Sequence, residues 1–184
     1  MFYSIRRLLA RILRIPRTRG FGVQSPFAYY FIRHVVLEHS LYYSYSSLEA
    51  HGGLNVRTRS IGRLLFRLSN FVGRKVWFIP HKPSLSTYQL YIHLGSWSST
   101  FTFSPHVSYN AALVYAHSEF IEHFSYFQSC SVLVVLGIHN NRNTSNTWKR
   151  LVNQSNCSVA FDLFDLGIVF FDQPVVKNTY KVNY

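Results

Sequence analysis

Carboxylates are what this chain lacks. Its 184 residues hold 7 Asp and Glu against 19 Lys and Arg, a formal charge of +12. The acids are Glu38, Glu49, Glu119, Glu122, Asp162, Asp165 and Asp172, so none precedes Glu38 and none lies between Glu49 and Glu119. Any catalysis that needs a carboxylate must draw on the C-terminal third or on those few glutamates. Cysteine is nearly as scarce. Cys130 and Cys157 sit in apolar, strand-like runs and read as buried free thiols. No CxxC or HExxH pattern is present and the nine histidines are scattered, so no metal site is expected. There is no GxSxG, no P-loop lysine and no carboxylate pair at a credible spacing. No apolar run is long enough to span a bilayer. Arginines interrupt the N-terminal apolar residues, which excludes a signal-peptide core, and a cytoplasmic protein is the default expectation.

What is present is a globular composition, with 48% hydrophobic and 17% aromatic residues in a length that suits one sizeable core. The positive balance favours anionic partners or records a loss of carboxylates. MFYSIRRLLARILRI places Ile5, Leu8, Leu9, Ile12 and Leu13 on one helical stripe with Arg7, Arg11 and Arg14 opposite, and Pro16 is expected to end it. Such a basic amphipathic helix can lie on an anionic membrane or contact nucleic acid. The plainer alternative packs its leucine face on the domain and leaves the arginines in water. Gly20 and Gly22 read as a turn, Ser25 as a helix cap and Pro26 as the first residue of an apolar helix to about Glu38. The tyrosine-rich 41–48 segment and Gly52-Gly53 read as a connection. Ser60 is expected to cap a helix with Ile61, Leu64, Leu65, Leu68 and Phe71 on one side and Arg63 and Arg67 on the other.

From Lys75 onward, short β-like runs alternate with helices. Strands are expected at 75–79, 100–103, 111–116 and 131–138, and helices at about 84–93, 117–128 and 143–153. That alternation argues a mainly parallel sheet covered by helices. CSVAFDL and LGIVFF, joined through Phe164-Asp165, read as an antiparallel hairpin, and KNTYKVNY as a further strand.

Several stretches resemble a known family. RGFGVQSPF (19–27) looks like the RGFGVHSPF signature of class I S-adenosylmethionine-dependent methyltransferase-like proteins common in Bacteroidetes, with Gln24 where the family has histidine. LLFRLSNF, SVLVVLGIHNNRNTSNTWKRL and VAFDLFDLGIVFFDQPVVKNTYKVNY resemble the helix before its first strand, its strand five with the following helix, and its closing hairpin and final strand. The resemblance implies an α/β, Rossmann-like, mainly parallel sheet with a C-terminal antiparallel hairpin and an N-terminal helical extension. It divides the chain into a 1–57 extension and a shortened 58–184 methyltransferase-type domain, with little sequence between strands two and four.

The same resemblance implies S-adenosylmethionine as cofactor, held by a loop like KVLEIGTSxGxSTLYL after the first strand. Here that loop is VWFIPHKPSLSTYQLYI, with Phe78 at the glutamate position, Pro80 at the first glycine and Ser84 at the last. Glycine lets backbone approach a cofactor, whereas proline fixes φ and deletes an N–H. The loop residues Pro80, His81, Lys82, Ser84, Ser86 and Thr87 are thus a degenerate cofactor site, with Lys82 available to an anionic ligand. The other acidic positions fall at Ser104-Pro105, Tyr115-Ala116-His117 and Leu136-Gly137, all without a carboxylate. His117 and His139 end predicted strands, where a doubly wound sheet places its ligand crevice, and are the acid/base candidates. The plainer alternative leaves them as loop histidines. Trp148 and Leu151 are expected to pack in the core. The resemblance implies a transferase fold that is degenerate and non-catalytic or weakly active. Two alternatives stand beside it: an active methyltransferase with an atypical loop and unknown substrate, and a basic peripheral module docking on anionic membrane or nucleic acid through Arg7, Arg11 and Arg14.

Overall fold

The computed structural model describes residues 2–18, 23–50, 53–171 and 173–184. The glycines at 20, 22 and 52, read as turn residues, lie outside them. The core is a seven-stranded sheet formed by β1 (Val76–Phe78), β2 (Thr100–Thr102), β3 (Ala111–Tyr115), β4 (Val132–Leu136), β5 (Val159–Asp162), β6 (Leu166–Phe170) and β7 (Asn178–Lys181). Their spatial order is β2-β1-β3-β4-β6-β5-β7. Strands β2, β1, β3 and β4 run parallel, β6 is antiparallel to both its neighbours, and β7 is parallel to β5. The fold is α/β and Rossmann-like, with the hairpin expected from CSVAFDL and LGIVFF.

The central strands are apolar on both sides because both sides are covered. On β3, Ala111 and Leu113 face one cluster and Ala112 and Val114 the other; on β4, Val132, Val134 and Leu136 oppose Leu133 and Val135. The first face carries α2 (Pro26–Phe31), α4 (Val56–Val72) and α5 (Pro83–Gly95), contributing Phe31, Leu64, Leu68, Leu85 and Ile92. The second carries α6 (Arg142–Val152) through Trp148 and Leu151, both buried as expected. Close approach of α4 to α5 requires Gly95, where an added Cβ would collide with the Phe66 carbonyl.

Local chemistry explains the element boundaries. Ser25 accepts a hydrogen bond from the Ala28 amide at 3.3 Å, and Pro26 begins α2, as read from the sequence. That helix widens into a π-helical turn over Ile32–Val36, whose end is tied by Arg67: its guanidinium donates to the Val35 and Val36 carbonyls at 2.7 and 3.3 Å. Arg67 is therefore buried, not on an outer face. Asn55, rather than Ser60, caps α4, accepting from the Thr58 amide at 2.8 Å. The tyrosine-rich connection contains a helix, α3 (Tyr43–Glu49), held by paired hydrogen bonds from Arg63 to Glu49 at 2.8 and 2.7 Å. Residues 117–128 form two short 3₁₀ turns, Glu119–Glu122 and Phe124–Phe127, broken at His123, where φ is −102° and ψ is 78°. The N-terminal helix, α1 (Phe2–Thr18), runs two residues past Pro16. Pro16 has no N–H to give the Ile12 carbonyl, and since only two helical residues follow it the disruption is confined to the last turn.

Candidate functional site at the carboxyl end of the sheet

The loop after β1 is short and closed. Pro80 is buried, while His81, Lys82, Ser84 and Ser86 are exposed and Thr87 is half-buried. Pro83 opens α5, with no side chain capping that end. The Ile79 amide is already spent on the Thr102 carbonyl at 3.0 Å, and prolines 80 and 83 have no amide to offer. The Ser86 hydroxyl donates back to the Pro83 carbonyl at 2.6 Å, and the His81 ring stands edge-on to Phe103 with centroids 5.6 Å apart. The cleft among Pro80, His81, Lys82, Ser86, Gln89 and Phe103 has a volume of about 130 Å³. Sites for cofactor-sized ligands generally start at roughly 300 Å³.

His117 lies exposed beyond β3, stacked on Tyr115 with centroids 5.1 Å apart. His139, beyond β4, has partners on both ring nitrogens. Its Nε2 is 2.8 Å from Asp162 Oδ2 and its Nδ1 is 3.2 Å from Ser145 Oγ on α6. Its ring packs on Phe164 at 5.3 Å. The strands register side by side, Tyr115 against Leu136, so the two histidines stand at neighbouring strand ends, but no hydrogen bond or ring contact joins them. Only His139 has a carboxylate to fix its orientation.

That carboxylate belongs to the most charged part of the interior. Asp162 ends β5 and Asp165 closes the turn into β6; their side chains are 3% and 1% exposed, deep enough that neither charge could stand unpaired. Arg14 Nη2 meets Asp162 Oδ1 at 2.9 Å, and Arg14 Nη1 donates to the Asp162 carbonyl at 2.9 Å. The Phe164 amide donates to Oδ1 at 3.0 Å. On Asp165, Arg7 approaches Oδ2 with Nη2 at 2.6 Å and Nε at 2.8 Å, Arg57 Nε approaches Oδ1 at 3.0 Å, and the Tyr184 hydroxyl donates to Oδ2 at 3.2 Å. Burial alone would raise the Asp162 pKa. The hydrogen bond from His139 and the Arg14 charge outweigh it, and the group sits below the usual carboxylate value.

Two consequences reach back to the N-terminus. Arg7 and Arg14, expected to face an anionic partner or water, are turned inward onto the protein's own carboxylates. The leucine face expected to pack on the domain is turned outward: Ile5, Leu8, Leu9, Ile12 and Leu13 are 49–76% exposed. Arg11 remains exposed. Sequence reasoning passed over Asp162, Asp165, Ser145 and Arg57. The available signal was the shortage of acids itself, since two aspartates flanking a wholly apolar hairpin must be buried, and buried aspartates need cations.

A second, more polar cleft of about 210 Å³ lies beside this cluster, at the carboxyl ends of β3 and β4. Tyr88, Tyr115, Asn140, Thr58, Arg57 and Asp165 line it. Chemically, Asp162 and Ser145 orient the His139 ring, while the carboxylates themselves are occupied by arginine. No protein-family model, no curated protein and no solved structure matches this chain.

Proposed function

We propose that the protein is a degenerate, methyltransferase-like member of the Rossmann-like class, non-catalytic or nearly so, that acts as a structural or binding module. The observation that carries this reading is the loop after β1. It presents prolines where a nucleotide cradle needs glycine, its Ile79 amide is used within the sheet, and its cleft measures about 130 Å³. These residues do not fit S-adenosylmethionine. Lys82 is exposed at the rim, but β1, β2 and β3 end in Phe78, Thr102 and Tyr115, none of which offers a carboxylate to ribose hydroxyls. The carboxylates that do reach this end of the sheet, Asp162 and Asp165, are occupied by Arg14, Arg7 and Arg57.

The test is calorimetric titration of the folded protein with S-adenosylhomocysteine at moderate salt. No binding heat and no rise in melting temperature are expected. Micromolar binding would replace this reading with that of a working methyltransferase using an atypical loop.

A further inference from the structure

Helix α1 is fastened to the domain by its arginines and turns its apolar stripe to the outside. Arg7 and Arg14 are spaced by seven residues, so they share one face, and the buried carboxylates of Asp165 and Asp162 fix the rotation of the helix about its axis. The Asn183 side-chain amide adds a bond to the Arg11 carbonyl at 2.9 Å. Opposite that fastened face, Ile5, Leu8, Leu9, Ile12 and Leu13 are 49%, 60%, 54%, 53% and 76% exposed. Arg6 and Arg11 are exposed on either flank of the stripe, and the chain has no acidic residue before Glu38.

We propose that α1 is an in-plane membrane anchor, docking the domain on an anionic lipid bilayer with the Ile5–Leu13 stripe in the acyl boundary and Arg6 and Arg11 among the headgroups. An amphipathic helix with arginines bordering an apolar face lies in the interface plane. The helix does not cross: no helix among the described residues is long and apolar enough. Charge complementarity selects the lipid, because a +12 chain with an acid-free first 37 residues is drawn to a negative surface. Charge argues against a second copy of the chain, because pairing two stripes bordered by Arg6 and Arg11 on a +12 chain would bring like charges together. The inference holds whether or not the scaffold binds a cofactor.

The experiment is co-sedimentation of the full chain with phosphatidylcholine vesicles and with vesicles of equal phosphatidylcholine and phosphatidylglycerol. Binding is expected to the anionic vesicles, weakening as salt rises. The double substitution Leu8→Gln/Leu13→Gln touches only exposed side chains and should leave the melting temperature unchanged while lowering vesicle affinity by roughly tenfold or more. Arg6→Gln/Arg11→Gln should lower binding to anionic vesicles alone. The proposal is overturned if the folded protein stays in the supernatant at low salt, or if the leucine variant binds as well as the parent. It is also overturned if sedimentation equilibrium shows a dimer that the leucine variant dissolves, or if the same variant loses binding to RNA rather than to lipid.

Discussion

One guanidinium reads both the side chain and the backbone of one residue: Arg14 Nη2 lies 2.9 Å from Asp162 Oδ1 while Arg14 Nη1 lies 2.9 Å from the Asp162 carbonyl oxygen. The contact joins the first helix to the last hairpin. Buried ion pairs seldom add much net stability, because desolvation offsets the attraction, yet losing one partner strands the other charge. Arg14 with Asp162, and Arg7 with Asp165, thus decide where α1 sits and which way its leucines point. The helix contributes orientation more than core.

Removing one member of the pair should be costly, and removing both should cost less than the sum of the two. Asp162→Asn is expected to destabilise the fold by about 3–5 kcal/mol in urea unfolding, as is Arg14→Met. The double variant should fall well short of their sum, with a coupling of roughly 1–3 kcal/mol. Additive effects would mean that the two groups do not interact in solution.

Acid sensitivity follows from the same site. The folded-state pKa of Asp162 is depressed, as is that of Glu49, whose largest cause is the hydrogen bond from Arg63. A group with a depressed folded pKa gives stability that is complete above its unfolded value, about 4, and is lost as pH falls through the lower folded value. Melting temperature should therefore be flat at mild pH and drop steeply below about pH 4. The drop should be shallower in Asp162→Asn, which has one fewer proton to take up.

Much of this architecture was legible from local pattern. Strands β3, β4, β5 and β6 are apolar runs bounded by turn residues, and the Phe164-Asp165 break marked the hairpin. The misreadings of α1 and Arg67 share one cause, which is that periodicity names a face without naming what covers it. Helix α1 has a clean stripe, but its polar face packs because two aspartates from the far end of the chain need cations. Arg67 looked like a surface residue because the carbonyls it ties off, at Val35 and Val36, end a separate helix. His139 was legible as a strand-end residue. Its partner Asp162 was not, since only the tertiary fold brings β5 beside it.

The two thiols should be inert in the native protein. Cys130 and Cys157 are free and buried, and burial pushes the Cys130 pKa up to about 12 and that of Cys157 upward. Burial is the leading cause for Cys157 as well. Thiolate is the reactive form, so a disulfide reagent near neutral pH should label neither residue until denaturant is added. Fast labelling of native protein would show that the second face of the sheet opens readily.

The turn at Phe164 stores strain that a pair of substitutions can expose. Phe164 has φ of 70°, and the Asp165 amide bonds the Leu163 carbonyl at 2.9 Å across it, the pattern of a positive-φ γ-turn. A residue with a Cβ is disfavoured there by about 1 kcal/mol or more. The conformation persists because the ring is buried between His139, at 5.3 Å, and the Arg14 guanidinium, at 5.7 Å. Phe164→Ala removes the ring and keeps the strain, so it should cost about 3–5 kcal/mol. Phe164→Gly removes the same ring but relieves the backbone, and should be the more stable of the two by up to ~1 kcal/mol. In a helix or strand interior alanine would win by a similar margin. Urea unfolding of both variants decides it: if alanine proves the more stable, the turn carries no strain and Phe164 is held by packing alone.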